Sequence, residues 1–217
     1  MDIARARYAG TLQVIVADNA STDATAAIAT ERGCAVARIE KRRIAAARNG
    51  GARLAQAGLL CFIDADSSIH PDTFSAIDRA LARADIVGGA TGVWPERWSL
   101  GIAATWMAMM PVVWLTGMDT GVVFCRRADF EALGGYDEAR ELAEDVAFLW
   151  ALKRLGARRG QKLKRLTRVK AMASMRKFDR HGDWHYFTLI ARSFWWYFFA
   201  REKIDRFAQE YWYHPNR

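Results

Sequence analysis

Short apolar runs alternate with longer amphipathic ones through the first half of the chain, the rhythm of strands covered by helices. Residues 12–17 (LQVIVA) are apolar and β-branched, which predicts a buried strand, and Asn19-Ala20-Ser21-Thr22-Asp23 then supplies turn and helix-cap chemistry. Residues 24–32 predict a helix closed by Gly33, and residues 35–39 a short strand. Residues 44–57 repeat apolar side chains at helical spacing and stop at Gly58. The next run, LLCFIDADSS, drives a strand from Leu59 straight into Asp64 and Asp66, and residues 85–87 predict one more strand.

The second half begins differently, with 21 uncharged residues from 98 to 118. That length raises a membrane-crossing segment, but Gly101, Pro111 and the Ala, Thr and Ser content favour a helix pressed against a membrane face or buried in a core. The alternation then resumes with a strand over 121–125, a polar helix over 127–133, the pair Gly134-Gly135, and a strong helix over 141–155 ending at Gly156. Residues 184–199 are dense in aromatic rings, followed by Arg201, Lys203 and Arg206. Such a segment suits a helix in a membrane interface, or else rings that cover the core. The expected organisation is an α/β domain over residues 1–170, a mostly parallel sheet flanked by helices, and an aromatic, basic helical tail over 171–217.

Composition narrows the partners. Apolar residues make up 52% and charged residues 26%, a globular balance, and the net charge of +8 favours anionic partners: nucleic acid, phosphorylated small molecules or an anionic membrane surface. Nucleic acid is disfavoured, because the positive charge is scattered and offset by acids in the first half. Cys34, Cys61 and Cys125 are odd in number and far apart, which argues against a disulfide framework or a zinc site and for a reducing compartment. With no signal-peptide pattern at the start, the expected location is cytoplasmic, peripheral on the cytoplasmic face of the membrane if the aromatic segments are interfacial.

In parallel α/β sheets ligands bind outside the carboxyl ends of strands, where Asp64 and Asp66 are expected to sit. Two carboxylates two residues apart can approach one divalent cation, and hard oxygen donors suit Mg²⁺ or Mn²⁺ shared with substrate phosphates. An isolated Asp-x-Asp is also common by chance, with one acid closing a loop and the other solvated.

Context gives the pair more weight. VIVADNASTD, IAAARNGGARLAQAGLLCFIDADS, FCRRADFEALGGYDE and LAEDVAFLWALKRLG stand in this order over residues 12–156, and together they resemble the family 2 glycosyltransferases of the inverting GT-A fold. The resemblance implies that Asp18 contacts the nucleobase of a nucleoside-diphosphate sugar, a UDP- or GDP-sugar, and that Arg48 lies near that donor. A bland alternative makes Arg48 a helix-surface arginine paired with Asp23 or Glu40. It implies that Asp64 faces ribose and sugar while Asp66 binds the Mn²⁺ or Mg²⁺ ion directly, and that Asp145, beside Glu144, is the catalytic base. An acid in the first turn of a helix also serves simply as a dipole complement. Met175-Arg176-Lys177-Phe178 resembles the family's basic segment downstream of the base, with Arg176 placed to close over the diphosphate. The implied reaction is inverting sugar transfer to an acceptor hydroxyl on a glycan or a lipid-linked molecule.

One departure stands out. Family members open with a strand and turn that floor the nucleotide site, whereas here residues 4–8 match the end of the following helix and lead directly into the second strand. The absent strand belongs between residues 14–16 and 62–63, and its loss is expected to leave unpaired backbone groups on both neighbours. It supports a competing reading, a catalytically incompetent fragment or pseudoenzyme that binds a membrane or partner. A nucleotidyltransferase is the third candidate, disfavoured because Glu144-Asp145 after a Gly-Gly turn has no evident role in nucleotidyl transfer.

Overall fold

The computed structural model describes residues 2–140, 143–185 and 187–188. Its elements run α1 (Asp2–Arg7), β1 (Ile15–Asp18), α2 (Thr25–Glu31), β2 (Ala35–Arg38), α3 (Ile44–Leu54), β3 (Leu59–Phe62), β4 (Ser67–Ser68), α4 (Thr73–Leu81) and β5 (Ile86–Pro95). They continue with α5 (Leu100–Thr116), β6 (Val123–Arg126), α6 (Arg127–Ala132), α7 (Glu144–Ala157), β7 (Lys162–Ala173) and α8 (Arg176–His181). β7 is continuous across residues 170 and 171, and most of the aromatic tail, residues 189–217, lies outside the described residues.

The strands form two sheets: β1 beside β2, parallel, and a five-stranded sheet in the order β3-β6-β5-β7-β4. The α/β class expected from the sequence holds, but the larger sheet is mixed. β5 and β7 are parallel, while β6 runs antiparallel to both β3 and β5, and β4 antiparallel to β7. The reason is the path after β5. The chain leaves that strand at Pro95 and returns at Val123, opposite Ala90, so β6 re-enters from the end β5 has just left and must point the other way.

Among the described residues no strand pairs with both β1 and β3, so the sheet divides between them. Gln13 donates its amide to Leu54 O at 3.2 Å and accepts from Gln56 N at 2.8 Å, tying the approach to β1 to the end of α3. Helix α3 (IAAARNGGARL) sits close on the small sheet because its facing residues are small: a Cβ on Gly50 would lie 1.9 Å from Ile39 Cδ1.

The core lies between α7 and the larger sheet, where Val87, Leu149 and Leu152 are fully buried, and a second cluster of Ile77, Leu81, Ile86 and Phe124 fills the space under α4. α4 buries Phe74, Ile77, Ala80 and Leu81 on one stripe, the spacing an amphipathic helix requires. α5 contradicts the expectation of a core helix. It is capped by Ser99, which accepts from Ile102 N at 3.3 Å, and closed by left-handed Gly117, yet only Gly101 and Ile102 are buried. No helix among the described residues is long and apolar enough to cross a membrane.

Candidate active site

Arg48 is the hub of the site. It projects from the middle of α3, its side chain is 13% exposed, and its guanidinium meets three carboxylates: Nη2 to Asp64 Oδ1 at 2.8 Å, Nη1 to Glu144 Oε1 at 2.8 Å, and Nη1 to Asp145 Oδ1 at 2.6 Å. The surface pairing with Asp23 or Glu40 is thereby overturned. Asp23 instead accepts from the Thr25 amide and hydroxyl at its own turn. The structure thus brings together residues from α3, from the end of β3 and from the start of α7, separated by about a hundred positions in sequence.

Below the guanidinium is an aromatic floor. Arg48 Cζ stands 5.2 Å from the Tyr136 ring centroid, Tyr136 stacks on Phe148 at 4.5 Å, and Phe62 meets the Tyr136 ring edge-on at 5.1 Å. Tyr136 is held by Asn49, which donates to Tyr136 O at 2.9 Å and accepts from Tyr136 N at 2.8 Å, both bonds buried. Asn49 also donates to Glu138 Oε1 at 3.0 Å, and Glu138 in turn pairs with Lys41 at 2.8 Å. Gly135 makes this approach possible: its φ is +78°, and a Cβ there would lie 2.6 Å from Asn49 Oδ1. Asn49 and Tyr136 are organising residues that motif reading passes over. Their signal was present as a polar side chain on the buried, alanine-rich face of α3 and as a ring after the Gly-Gly turn.

Electrostatics single out Asp145. Burial pushes its carboxyl up, Arg48 pulls it down, and the neighbouring Glu144 and Asp64 charges push it up again, to about 6. Its Oδ1 is buried in ionic contact with Arg48 at 2.6 Å, and the Tyr136 hydroxyl is buried as well. The same Asp145 carboxylate, after burial, drives the Tyr136 phenol well above its usual value. Desolvation weakens and the three acids strengthen the charge on Arg48, with a net shift upward, so it stays a cation throughout.

Backbone strain marks the same places. Among the described residues the two non-glycine positions with positive φ are Ala20 and Ala143, each at 55° and each two residues from an acid of interest, Asp18 and Asp145. A left-handed alanine costs on the order of 1–2 kcal/mol, which the surroundings must offset.

Asp18 closes β1, is buried, and accepts from Ser21 N at 3.0 Å, so it shapes the turn that follows it. Asp64 and Asp66 follow β3 on an exposed loop. Asp64 turns toward Arg48, and Asp66 Oδ2 lies 3.5 Å from Arg176, an exposed residue at the start of α8. Among the described residues no group of three or more His, Cys, Asp or Glu side chains could enclose a metal ion. The donor set fits Mg²⁺ or Mn²⁺ in another way: two carboxylates about half exposed supply hard oxygens and leave the remaining positions to phosphate and water.

Comparison with known proteins places the chain in a family. The model of glycosyl transferase family 2 matches residues 3–181. Among solved structures, S. aureus TarS aligns with a TM-score of 0.57 at 16% identity, covering 81% of this chain and 34% of that one. TarS 1-349 in complex with UDP gives 0.56 at 17%, covering 81% and 56%. Glucosyl-3-phosphoglycerate synthase from Mycobacterium tuberculosis, in complex with Mn²⁺, UDP and glucosyl-3-phosphoglycerate, gives 0.50 at 18%, covering 76% and 63%. At such identities the likeness is one of fold, and the chain spans from 34% to 63% of these three structures. No curated protein matches it in sequence. With one family model matched over residues 3–181 of its 217, the chain belongs to glycosyl transferase family 2.

Proposed function

We propose that this chain transfers a sugar, with inversion, from a nucleoside-diphosphate sugar to an acceptor hydroxyl. The observation that carries the reading is Asp145: a desolvated carboxylate, raised to about 6, at the first turn of α7 and gripped by Arg48. A general base works best when its pKa lies just below the working pH. Proton loss makes the hydroxyl a nucleophile at the anomeric carbon, and a single displacement inverts that carbon.

Arg48 holds Asp145 and Glu144 on one side and Asp64 on the other, so the base and the donor-side carboxylate are fixed by one rigid cation. In the proposed division of roles Asp18 contacts the nucleobase, Asp64 the ribose and sugar, and Arg176 the diphosphate from its exposed position beside Asp66. Mg²⁺ or Mn²⁺ held by Asp66 with Asp64 would neutralise the diphosphate leaving group. A uridine nucleotide is the favoured donor, supported by the UDP complexes of TarS and of the mycobacterial synthase.

The test is Asp145→Asn. Nucleotide binding is expected to persist within about threefold while transfer falls by at least 10²-fold, the loss of a positioned general base. In the unaltered chain the rate should rise with pH through about 6. Transfer retained by the variant would remove Asp145 from the role. A folded chain that binds no nucleotide would instead favour a non-catalytic module, the reading that the divided sheet supports.

A further inference from the structure

An exposed apolar surface takes no part in the site just described. α5 carries no charge in its 17 residues, yet Leu115 is 86%, Leu100 84%, Trp114 73% and Met107 68% exposed. A helix apolar on every side is normally buried, and soluble monomers rarely leave a contiguous patch of this kind uncovered. At about 1.5 Å per residue α5 is about 25 Å long, short of the ~30 Å of a hydrocarbon core, and Pro111 interrupts it.

We propose that this face docks on an anionic lipid surface, with α5 lying along the headgroup boundary rather than crossing it. The chemistry bordering the helix selects lipid over another protein. At its start Trp94, Trp98 and Trp106 form an edge-to-face cluster with centroids 5.2–6.3 Å apart, and Lys170 Nζ stands 4.2 Å from the Trp94 ring. At its end Lys153 Nζ stands 4.9 Å from the exposed Trp150 ring and donates to Thr116 O at 3.3 Å. Indole rings with ammonium groups beside them are the composition of a membrane interface, where rings settle at headgroup depth and cations meet lipid phosphate. Near the start of the helix Arg97 binds both Asp179 and Asp183 and offsets one of their two charges. The face continues onto Trp184, whose backbone packs against Gly101 so closely that a Cβ there would meet Asp183 O at 2.5 Å.

Docking is independent of the proposed sugar transfer, and its test needs no substrate. The full chain is mixed with vesicles of phosphatidylcholine containing phosphatidylserine, with pure phosphatidylcholine vesicles as reference, and the bound fraction is read by flotation at low and high salt. Binding to the anionic vesicles is expected, weaker at high salt, and reduced by about tenfold or more in Trp114→Glu/Leu115→Glu. Both side chains are exposed, so the fold should survive, as circular dichroism will show; Met107→Glu is a second, separate variant of the same face. Binding unchanged in both variants would assign it to residues 189–217 and overturn the proposal. No binding by the folded chain would overturn it too. So would self-association that the variants abolish without any vesicle binding, which would make the face a contact between copies.

Discussion

Removing the positive charge at Arg48 is the perturbation that most directly tests how the site is held together. Arg48→Met keeps the length and apolar contacts of the stem over Tyr136 but leaves Asp64, Glu144 and Asp145 facing one another without a cation. Glu144 and Asp145 are 12% and 15% exposed, so water screens them poorly. Breaking a buried ion pair by removing one partner costs about 3–5 kcal/mol, and each unit of pKa shift corresponds to about 1.4 kcal/mol. In the variant the Asp145 carboxyl should rise above its present value of about 6. A group whose folded pKa exceeds its unfolded one keeps its stability below the unfolded pKa and loses it as pH climbs through the folded pKa. The deficit of Arg48→Met should therefore approach about 3–5 kcal/mol near pH 8 and shrink toward pH 5, where the carboxyls take up protons. Urea denaturation of both proteins at the two pH values, followed by far-ultraviolet circular dichroism, measures it. A deficit below about 1 kcal/mol at pH 8, or one equal at both pH values, would refute the view that Arg48 neutralises this cluster.

The other expectations are simpler. Asp66→Ala should remove the Mn²⁺ dependence of UDP binding in calorimetric titration while leaving the melting temperature within about 2 °C, because the side chain is half exposed and its described partner is the exposed Arg176. Metal dependence unchanged in this variant would transfer the ligand role elsewhere. Asn49→Ala should cost about 2–4 kcal/mol, since it strips two buried bonds from the Tyr136 backbone and one from Glu138. A loss under about 1 kcal/mol by denaturant titration would mean that Tyr136 is held mainly by its ring contacts.

Most helices and strands were legible because their sequence period matches their burial. The alternation through residue 63 foretold β1, α2, β2, α3 and β3 to within a few residues, and Gly33 marks a real helix end with positive φ, whereas α3 stops at Leu54, short of Gly58, and α7 runs through Gly156 to Ala157. β7 escaped notice because its twelve residues (KLKRLTRVKAMA) carry so many cations that it reads as a solvated run. Pairing with β5 makes it a strand, and Arg165 finds a buried partner in Asp119. The acids were legible by type and spacing, whereas their arrangement around Arg48 was not. That arrangement depends on Gly135 and Asn49 drawing the 134–138 turn against α3, a tertiary contact that no local pattern encodes. The sense of the sheet was likewise hidden, because a strand–helix–strand sequence does not reveal from which end the chain returns.

The division between β1 and β3 also has a dynamic consequence. Backbone ladders make a sheet melt as one cooperative unit, and among the described residues no ladder joins the β1–β2 pair to the five-stranded sheet. The smaller part, with α2 and α3 packed on it, is tied to the rest by side chains such as Arg48 and Asn49, so it should open at a lower free energy than the body carrying β5, β6 and α7. Asp18 rides on that looser part and Asp64 on the firmer one. A nucleotide reaching from one to the other would spend part of its binding energy on closing the two together, and would bind more weakly than it would in a sheet already joined.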